Sequence, residues 1–191
     1  MLKGIIFDFD GVIAESVHIK SSAFSDLYKP YGTEIVKRIV KHHEANGGMS
    51  RFEKIKYYHE TFVDAILSER EISHFANQFS EYVVDRVVRA QYVPNALEFI
   101  KYSYGNYKLF ISTGTPTAEM KNILKLKKII KYFTGIYGSP AFKNDHVKVI
   151  CSEYNLKSDE LLFFGDSKTD MEAAAANGIK FILRLHKYNK K

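Results

Sequence analysis

Two aspartates near the amino terminus, Asp8 and Asp10, follow the apolar run Gly4-Ile5-Ile6-Phe7. An isolated ionised carboxylate is expensive to bury unless a cation or hydrogen bonds compensate for the lost water. Residues two apart on a strand share a face, so both carboxylates are expected on the same side. The pair therefore favours a divalent metal site, or a nucleophile with an acid/base. The residues alone also allow two acids at a strand-to-turn junction, where Asp is common.

Polar residues also follow three later apolar runs. They are Thr113 with Gly114, Lys143, and Asp166 with Asp170. Acids beside a hydroxyl and a cation suit a phosphoryl group bound through Mg²⁺. Each has a simpler interpretation, since Asp166 and Asp170 could cap a helix that begins near Thr169. Lys143 alone could be a surface lysine, and Thr113 an ordinary turn residue.

The carboxy-terminal half alternates between strand and helix patterns. With the first strand, the strands are expected at 107–112, 136–138, 161–164 and 179–183. Helix starts are expected at Pro94, at Thr115-Pro116 and at Asp145. Strands joined by helices predict an α/β fold with a doubly wound parallel sheet. Sites in such sheets lie beyond the carboxyl ends of the strands, where the polar residues fall.

Residues 15–92 interrupt this alternation and are expected to be all helical. Ser50 and Ser68 each begin a capping-box pattern. Apolar residues recur at helical spacing in 35–43, in 52–66 and in 72–87, and Asn46-Gly47-Gly48 ends the first of these. We expect four helices that form a cap (15–92) over an α/β core made of 1–14 and 93–191.

The sequence resembles the haloacid dehalogenase superfamily over essentially its full length. Four motifs occur in order, each after a predicted strand. They are Asp8-Phe9-Asp10-Gly11, Thr113, Lys143, and Gly165-Asp166-Ser167-Lys168-Thr169-Asp170. The helical insertion resembles the cap of the phosphoglycolate phosphatase and β-phosphoglucomutase branch. The resemblance implies a Rossmann-like core with an inserted all-helical cap.

The resemblance also implies roles for these residues. Asp8 would be the nucleophile that forms an aspartyl-phosphate, and Asp10 the general acid/base. Mg²⁺ would be held by Asp8, the backbone carbonyl of Asp10 and Asp166, with Asp170 supporting the site. The phosphoryl oxygens would be bound by Thr113, the Gly114 N–H and Lys143.

The implied reaction is Mg²⁺-dependent hydrolysis of a small phosphomonoester, such as a sugar phosphate or a phosphoglycolate-like compound. A phosphomutase and a catalytically idle binding module are the alternatives. Dehalogenation is disfavoured because dehalogenases lack the second acid that Asp10 supplies. The mutase branch departs from the fourth motif, which this chain keeps through Asp170.

Cap residues are harder to assign. Arg51 and Lys54 follow a glycine-marked loop, and they either contact the non-reacting part of the substrate or face solvent in a first helical turn. His18 and Lys20 are expected to reach the site as the cap closes. Four further histidines are interpreted as helix-face or core residues: His42, His43, His59 and His74.

Composition limits the partners. The net charge of +6 suits an anionic partner, here a small phosphorylated metabolite. Residues 121–131 alternate apolar residues with lysines and are interpreted as a surface helix rather than a nucleic-acid patch. No nucleic-acid motif, signal peptide or membrane span is evident, and the single Cys151 fits a reducing cytoplasm. We expect a cytoplasmic monomer or homodimer.

Overall fold

The computed structural model describes residues 1–47 and 49–190. Its strands form one parallel sheet with the order β3-β2-β1-β4-β5. The strands are β1 (Gly4–Phe7), β2 (Lys108–Pro116), β3 (Gly135–Ser139), β4 (Leu161–Gly165) and β5 (Lys180–Leu183). The predicted parallel α/β sheet is confirmed, and the strand that precedes Asp8 lies at its centre.

Helices cover both faces of this sheet. The helices are α1 (Val17–Tyr28), α2 (Thr33–Ala45), α3 (Arg51–Tyr58), α4 (Glu69–Arg89), α5 (Ala96–Ser103), α6 (Thr117–Leu126), α7 (Lys143–Glu153) and α8 (Lys168–Ala176). Ile5 and Phe7 of β1 pack in a core that includes α5 and α6, whereas Ile6 packs in one that includes α7 and α8. This alternation follows from the two-residue period of a strand buried on both faces.

Helices α1 to α4 lie between β1 and the rest of the sheet. The chain leaves and rejoins the core at one crossing, where Ala14 pairs with Tyr92 in antiparallel fashion. The N–H of Val93 donates to the carbonyl of Ile13 over 2.9 Å beside this pair. The crossing falls at the boundaries expected for the cap, whose division from the core remains a prediction. The two predicted capping boxes begin α3 and α4 and are both formed.

Three predicted helix starts are displaced in the structure. Strand β2 continues through Pro116, which pairs with Ser139, so Thr115-Pro116 does not open α6. Helix α5 begins two residues after Pro94, and α7 begins at Lys143 with Asp145 in its first turn rather than at its cap. Strand pairing thus prevails over the local start signal of threonine and proline.

Two predicted helices are shorter than their apolar patterns suggested. Helix α3 passes into a π-turn over His59–Val63, and the left-handed Asp64 (φ 58°) ends it. Ile66 consequently lies outside the helix and is 90% exposed. Helix α6 ends at Leu126, and Lys127 instead donates to the backbone carbonyls of Val88 and Ala90. The predicted surface helix with a solvated face is therefore present only as far as Leu126, and the expected continuation to residue 131 was wrong.

No helix in the described part of the chain is long and apolar enough to cross a membrane.

Loss of the α4 cap should weaken the helical insertion. Ser68 is exposed, and its Oγ accepts the N–H of Glu71. We expect Ser68→Ala to lower Tm by about 2–4 °C, because a first-turn N–H loses its acceptor. Thermal unfolding followed by circular dichroism measures the shift. Ser73→Ala, at an exposed position in the second turn of α4, is the matched control and should leave Tm unchanged or slightly higher. Equal effects of the two substitutions would contradict the capping role.

Candidate active site

Asp8 lies one residue beyond β1 and is 4% exposed. Its N–H continues the sheet by donating to the carbonyl of Phe164 over 2.9 Å. Its Oδ1 accepts the N–H of Phe9 over 2.6 Å, which fixes the carboxylate. Gly11 follows with φ 76°, and a Cβ there would lie 2.1 Å from Oδ2 of Asp166. A side chain at position 11 would therefore displace Asp166.

Lys143 joins two of the buried acids. As the first residue of α7, it places its Nζ 2.8 Å from Oδ2 of Asp8 and 2.5 Å from Oδ1 of Asp170. Burial opposes the charge on Lys143, but Asp170 and Asp8 outweigh it and raise the lysine pKa above its ordinary value. The predicted lysine is thus a buried ammonium at the centre of the acidic group.

Asp170 uses one carboxylate oxygen to cap helix α8 and the other to contact Lys143. Its Oδ2 accepts the N–H groups of Asp166 and Ser167 and the Ser167 hydroxyl, which forms the capping box of α8. Its Oδ1 remains for Lys143. The interpretation of Asp170 as a helix-capping residue is therefore correct. That role also aims the carboxylate toward Asp8.

Asp8, Asp166 and Asp170 each offer one carboxylate oxygen, and these three oxygens lie within 4.8 Å of one another. Burial raises the pKa of Asp8 well above its usual range, and the charges of Asp170 and Asp166 add to this rise although Lys143 opposes it. A divalent cation among the three carboxylates would relieve that repulsion. The donor set is of hard oxygens only, so it fits Mg²⁺.

The side chain of Asp10 has other partners. Its Oδ1 accepts the Ser16 hydroxyl over 2.6 Å, and its Oδ2 accepts Lys20 Nζ over 2.5 Å. Burial opposes ionisation of Asp10, but Lys20 and Ser16 prevail and lower its pKa below the ordinary value. Lys20 therefore lies in the site, as expected from the sequence, whereas His18 is exposed. The partnership of Ser16 with Asp10 was missed.

Thr113 and Gly114 lie in β2 and line the same cavity as Asp8 and Asp10. The Thr113 hydroxyl is buried and accepts the N–H of Thr115 over 3.1 Å. Thr115 in turn accepts Lys20 Nζ over 2.8 Å. The predicted hydroxyl group therefore stands at the carboxyl edge of the sheet, although as part of the strand rather than after it.

The carboxy-terminal segment contributes partners that sequence reasoning missed. His186 Nε2 lies 2.7 Å from Oδ2 of Asp166, and Asn189 donates to the Asp166 carbonyl over 2.7 Å. Arg184 donates to the Gly11 carbonyl over 2.8 Å and pairs with Glu15. No motif or spacing links these residues to the acids, so only the folded chain reveals them.

A cavity of about 340 Å³ opens between the sheet edge and the helical insertion. The acids Asp8, Asp10 and Asp166 line it from the core, and Lys54 and Arg51 line it from α3. Both cations are buried, so the solvent-facing interpretation of these two residues was wrong.

Arg51 has a carboxylate partner across the interface. Its Nη1 lies 2.8 Å and its Nη2 2.5 Å from the two carboxylate oxygens of Glu119, in the first turn of α6. Ser80 of α4 contacts both groups, and the guanidinium lies 4.7 Å from the Phe79 ring centre. Paired hydrogen bonds of this kind hold a guanidinium in one orientation. Arg51 thus links the helical insertion to the core, and its contact with substrate remains a prediction.

The histidines expected on helix faces divide by burial. His43 and His59 are buried, whereas His74 is exposed. His59 contacts the Tyr28 hydroxyl and the Ile55 carbonyl, both at 3.0 Å, as a satisfied core residue does. His43 differs because it lines the cavity and contacts Lys54.

Fold and site together define an α/β protein of the doubly wound type, with a carboxylate site at the carboxyl edge of its sheet. A family model described as haloacid dehalogenase-like hydrolase matches residues 5–184, and the chain belongs to that family.

Two curated relatives match nearly the whole chain. The phosphorylated carbohydrates phosphatase of Thermotoga maritima is 28% identical over 95% of this chain and 84% of its own length. A phosphoglycolate phosphatase of Haemophilus influenzae is 24% identical over 98% of this chain and 87% of its own.

Solved structures share the fold. A β-phosphoglucomutase from Clostridium difficile superposes with a TM-score of 0.81 at 19% identity, over 99% of this chain and 87% of that one. A structure described as a predicted phosphoglycolate phosphatase from Haemophilus somnus gives a TM-score of 0.75 at 21% identity, over 95% and 84%.

Removal of Arg51 should destabilise the protein more than removal of the whole ion pair. Arg51→Met leaves Glu119 charged and nearly buried, and we expect a loss of about 3 kcal/mol in the free energy of unfolding. Arg51→Met with Glu119→Met should recover much of that loss, because no unpaired charge remains. Urea denaturation of the single and double variants measures both values. Additive losses would contradict a direct coupling across the interface.

Proposed function

We propose that this protein is a Mg²⁺-dependent phosphatase that hydrolyses a small phosphomonoester through an aspartyl-phosphate. The chain is a phosphoric monoester hydrolase of its family, whose relatives include named phosphatases. One observation carries the proposal. Asp8, Asp10 and Asp166 line one cavity, and Lys143 bridges Asp8 to Asp170 beside it.

Asp8 is suited to be the nucleophile because its backbone and Oδ1 are fixed by the sheet and by Phe9. In the first step a carboxylate oxygen of Asp8 bonds to phosphorus while the bond from phosphorus to the ester oxygen breaks. Lys143 stays beside Asp8 and offsets the repulsion between the carboxylate and the phosphoryl oxygens. Thr113 and the Gly114 N–H complete the proposed binding of those oxygens.

Asp10 is suited to move protons in both steps. In the proposed first step Asp10 carries a proton, which it releases readily to the departing ester oxygen because Lys20 and Ser16 lower its pKa; the resulting carboxylate then takes a proton from water. That water attacks phosphorus and releases Asp8 and inorganic phosphate. Ser16 and Lys20 orient the carboxylate through separate oxygens, which restricts the position from which it can act.

Asp8, Asp166 and the Asp10 backbone carbonyl would hold Mg²⁺, with Asp170 in support. When bound, the ion supplies positive charge that balances the phosphoryl oxygens and the clustered acids. Asp170 already accepts hydrogen bonds from Lys143 and from the first turn of α8, so its contribution is to keep Asp166 and Lys143 in place.

Asp8→Asn should abolish phosphate release. The amide cannot attack phosphorus, and we expect kcat to fall by at least about a thousandfold on a panel of phosphorylated sugars and small acids. Phosphate release is measured with Mg²⁺ and after chelation, which should remove activity of the unaltered protein as well.

Asp145→Asn is the matched control, because this side chain is half exposed on α7 and does not line the cavity. It should retain full activity. Absence of release from every compound by the unaltered protein would refute the phosphatase proposal. Isomerisation of a sugar phosphate without net release would instead support the phosphomutase alternative.

A further inference from the structure

Lys54 is a buried lysine whose ammonium has no acidic partner in the part of the chain that the structure describes. Its side chain is 1% exposed, lines the cavity, and among the described residues makes no ion pair with a carboxylate. Its nearest polar contact is Nδ1 of His43, at 2.7 Å. The other lysine and arginine side chains that line the cavity are each paired with an acid: Lys20 with Asp10, Arg51 with Glu119 and Lys168 with Glu172.

Burial of an unpaired ammonium is costly in free energy. The charges around Lys54 therefore indicate what kind of ligand would stabilise it. Burial, then the charge of Lys20, lower the pKa of Lys54 well below its usual range. Asp10 and Glu53 counter this lowering only in part, and Lys143 adds to it. The position therefore lacks a negative charge that would stabilise the protonated lysine.

His43 also leaves the charge of Lys54 uncompensated. Burial and the charges of Lys54 and Lys20 lower the histidine pKa well below its usual value, so His43 is neutral in the free protein. A neutral ring has one acceptor nitrogen, and Nδ1 takes that role toward Lys54. Two further N–H groups of the ammonium are then available to a ligand in the cavity.

We propose that Lys54, oriented by His43, binds a second anionic group of the substrate, a carboxylate or a second phosphate, on the α3 side of the cavity. The proposal rests on the proposed phosphatase function and narrows its substrate class. It assigns the non-reacting part of the substrate to Lys54 and not to Arg51, whose guanidinium is engaged by Glu119.

The surrounding side chains favour this assignment. Phe24 and Phe79 form an apolar wall of the cavity, and Lys54 Nζ lies 5.9 Å from the Phe24 ring centre. An ion pair in such a desolvated place is stronger than one at the surface. Glu44 also lines the cavity, but its Oε1 accepts the Ser21 hydroxyl over 3.4 Å on a neighbouring helix. The cavity volume of about 340 Å³ leaves room for more than a phosphoryl group.

The test compares substrates that differ in their second group. Steady-state kinetics with Mg²⁺ would use phosphoglycolate, a sugar bisphosphate, and glycerol 3-phosphate, which carries only hydroxyls beyond its phosphate. In Lys54→Met we expect KM to rise by about 10-fold to 100-fold for whichever of the first two is a substrate, with kcat little changed. KM for glycerol 3-phosphate should change by less than about threefold. A rise for only one of the two anionic compounds identifies carboxylate or phosphate as the group bound.

Lys56→Met is the matched control, since Lys56 is exposed on the same helix two residues away. It should leave all three KM values unchanged. A similar loss on all three compounds in Lys54→Met, or no change on any, would overturn the subsite. Should Lys54→Met fail to fold, His43→Gln tests the same contact, and circular dichroism verifies its fold.

A binding measurement separates this proposal from the proposed function. Isothermal titration of phosphoglycolate and of the bisphosphate into the unaltered protein and into Lys54→Met requires no turnover. Weaker binding of either compound by the variant supports the subsite even if the protein releases no phosphate. Equal binding by both proteins refutes the subsite even if hydrolysis is observed.

Discussion

Neutralisation of buried negative charge is the constraint on which this structure depends. Asp8 follows β1 and Asp170 lies in the first turn of α8, which follows β4. Lys143, the first residue of α7, donates to both carboxylates at one edge of the sheet. Without that ammonium the two carboxylates would repel each other in a place that water barely reaches. The sheet order makes the meeting possible, because β1 lies between the strands that precede Lys143 and Asp170. Charge balance and topology therefore support the same arrangement.

The helical insertion supplies cations where the sheet supplies acids. Lys20 of α1 orients Asp10, Arg51 of α3 binds Glu119 of the core, and Lys54 of α3 faces the cavity. These three cations differ in whether a carboxylate of the protein already pairs with them. Lys20 and Arg51 are paired with carboxylates of the protein, whereas Lys54 makes no such ion pair among the described residues and keeps two N–H groups for a ligand. Arg51 thus links the helical insertion to the core, and Lys54, three residues later, is left for the proposed contact with substrate.

Sequence patterns predicted the parts of the structure that depend on interactions between residues close in sequence. The capping boxes at Ser50 and Ser68 and the apolar strands needed only nearby residues, and both formed. Ile66 was misplaced because a π-turn and a left-handed Asp64 end the helix early despite a continuing apolar rhythm. The ordered motifs located the acids and Lys143 because each follows a strand. The partners of Arg51 and of Asp166 could not be found in this way. Glu119 and His186 are distant in sequence and belong to no pattern, so their pairing exists only in the folded chain.

The pairing of Ala14 with Tyr92 allows the helical segment between them to change in length during evolution. Both ends of the helical segment emerge side by side from one point of the sheet, so insertions or deletions between them need not alter strand order or register. Evolution can thus lengthen, shorten or replace the segment while the acids of the core stay in place. The limit is set by packing, since side chains of both parts share one apolar cluster. A replacement segment must match that buried surface before it can bring a new specificity.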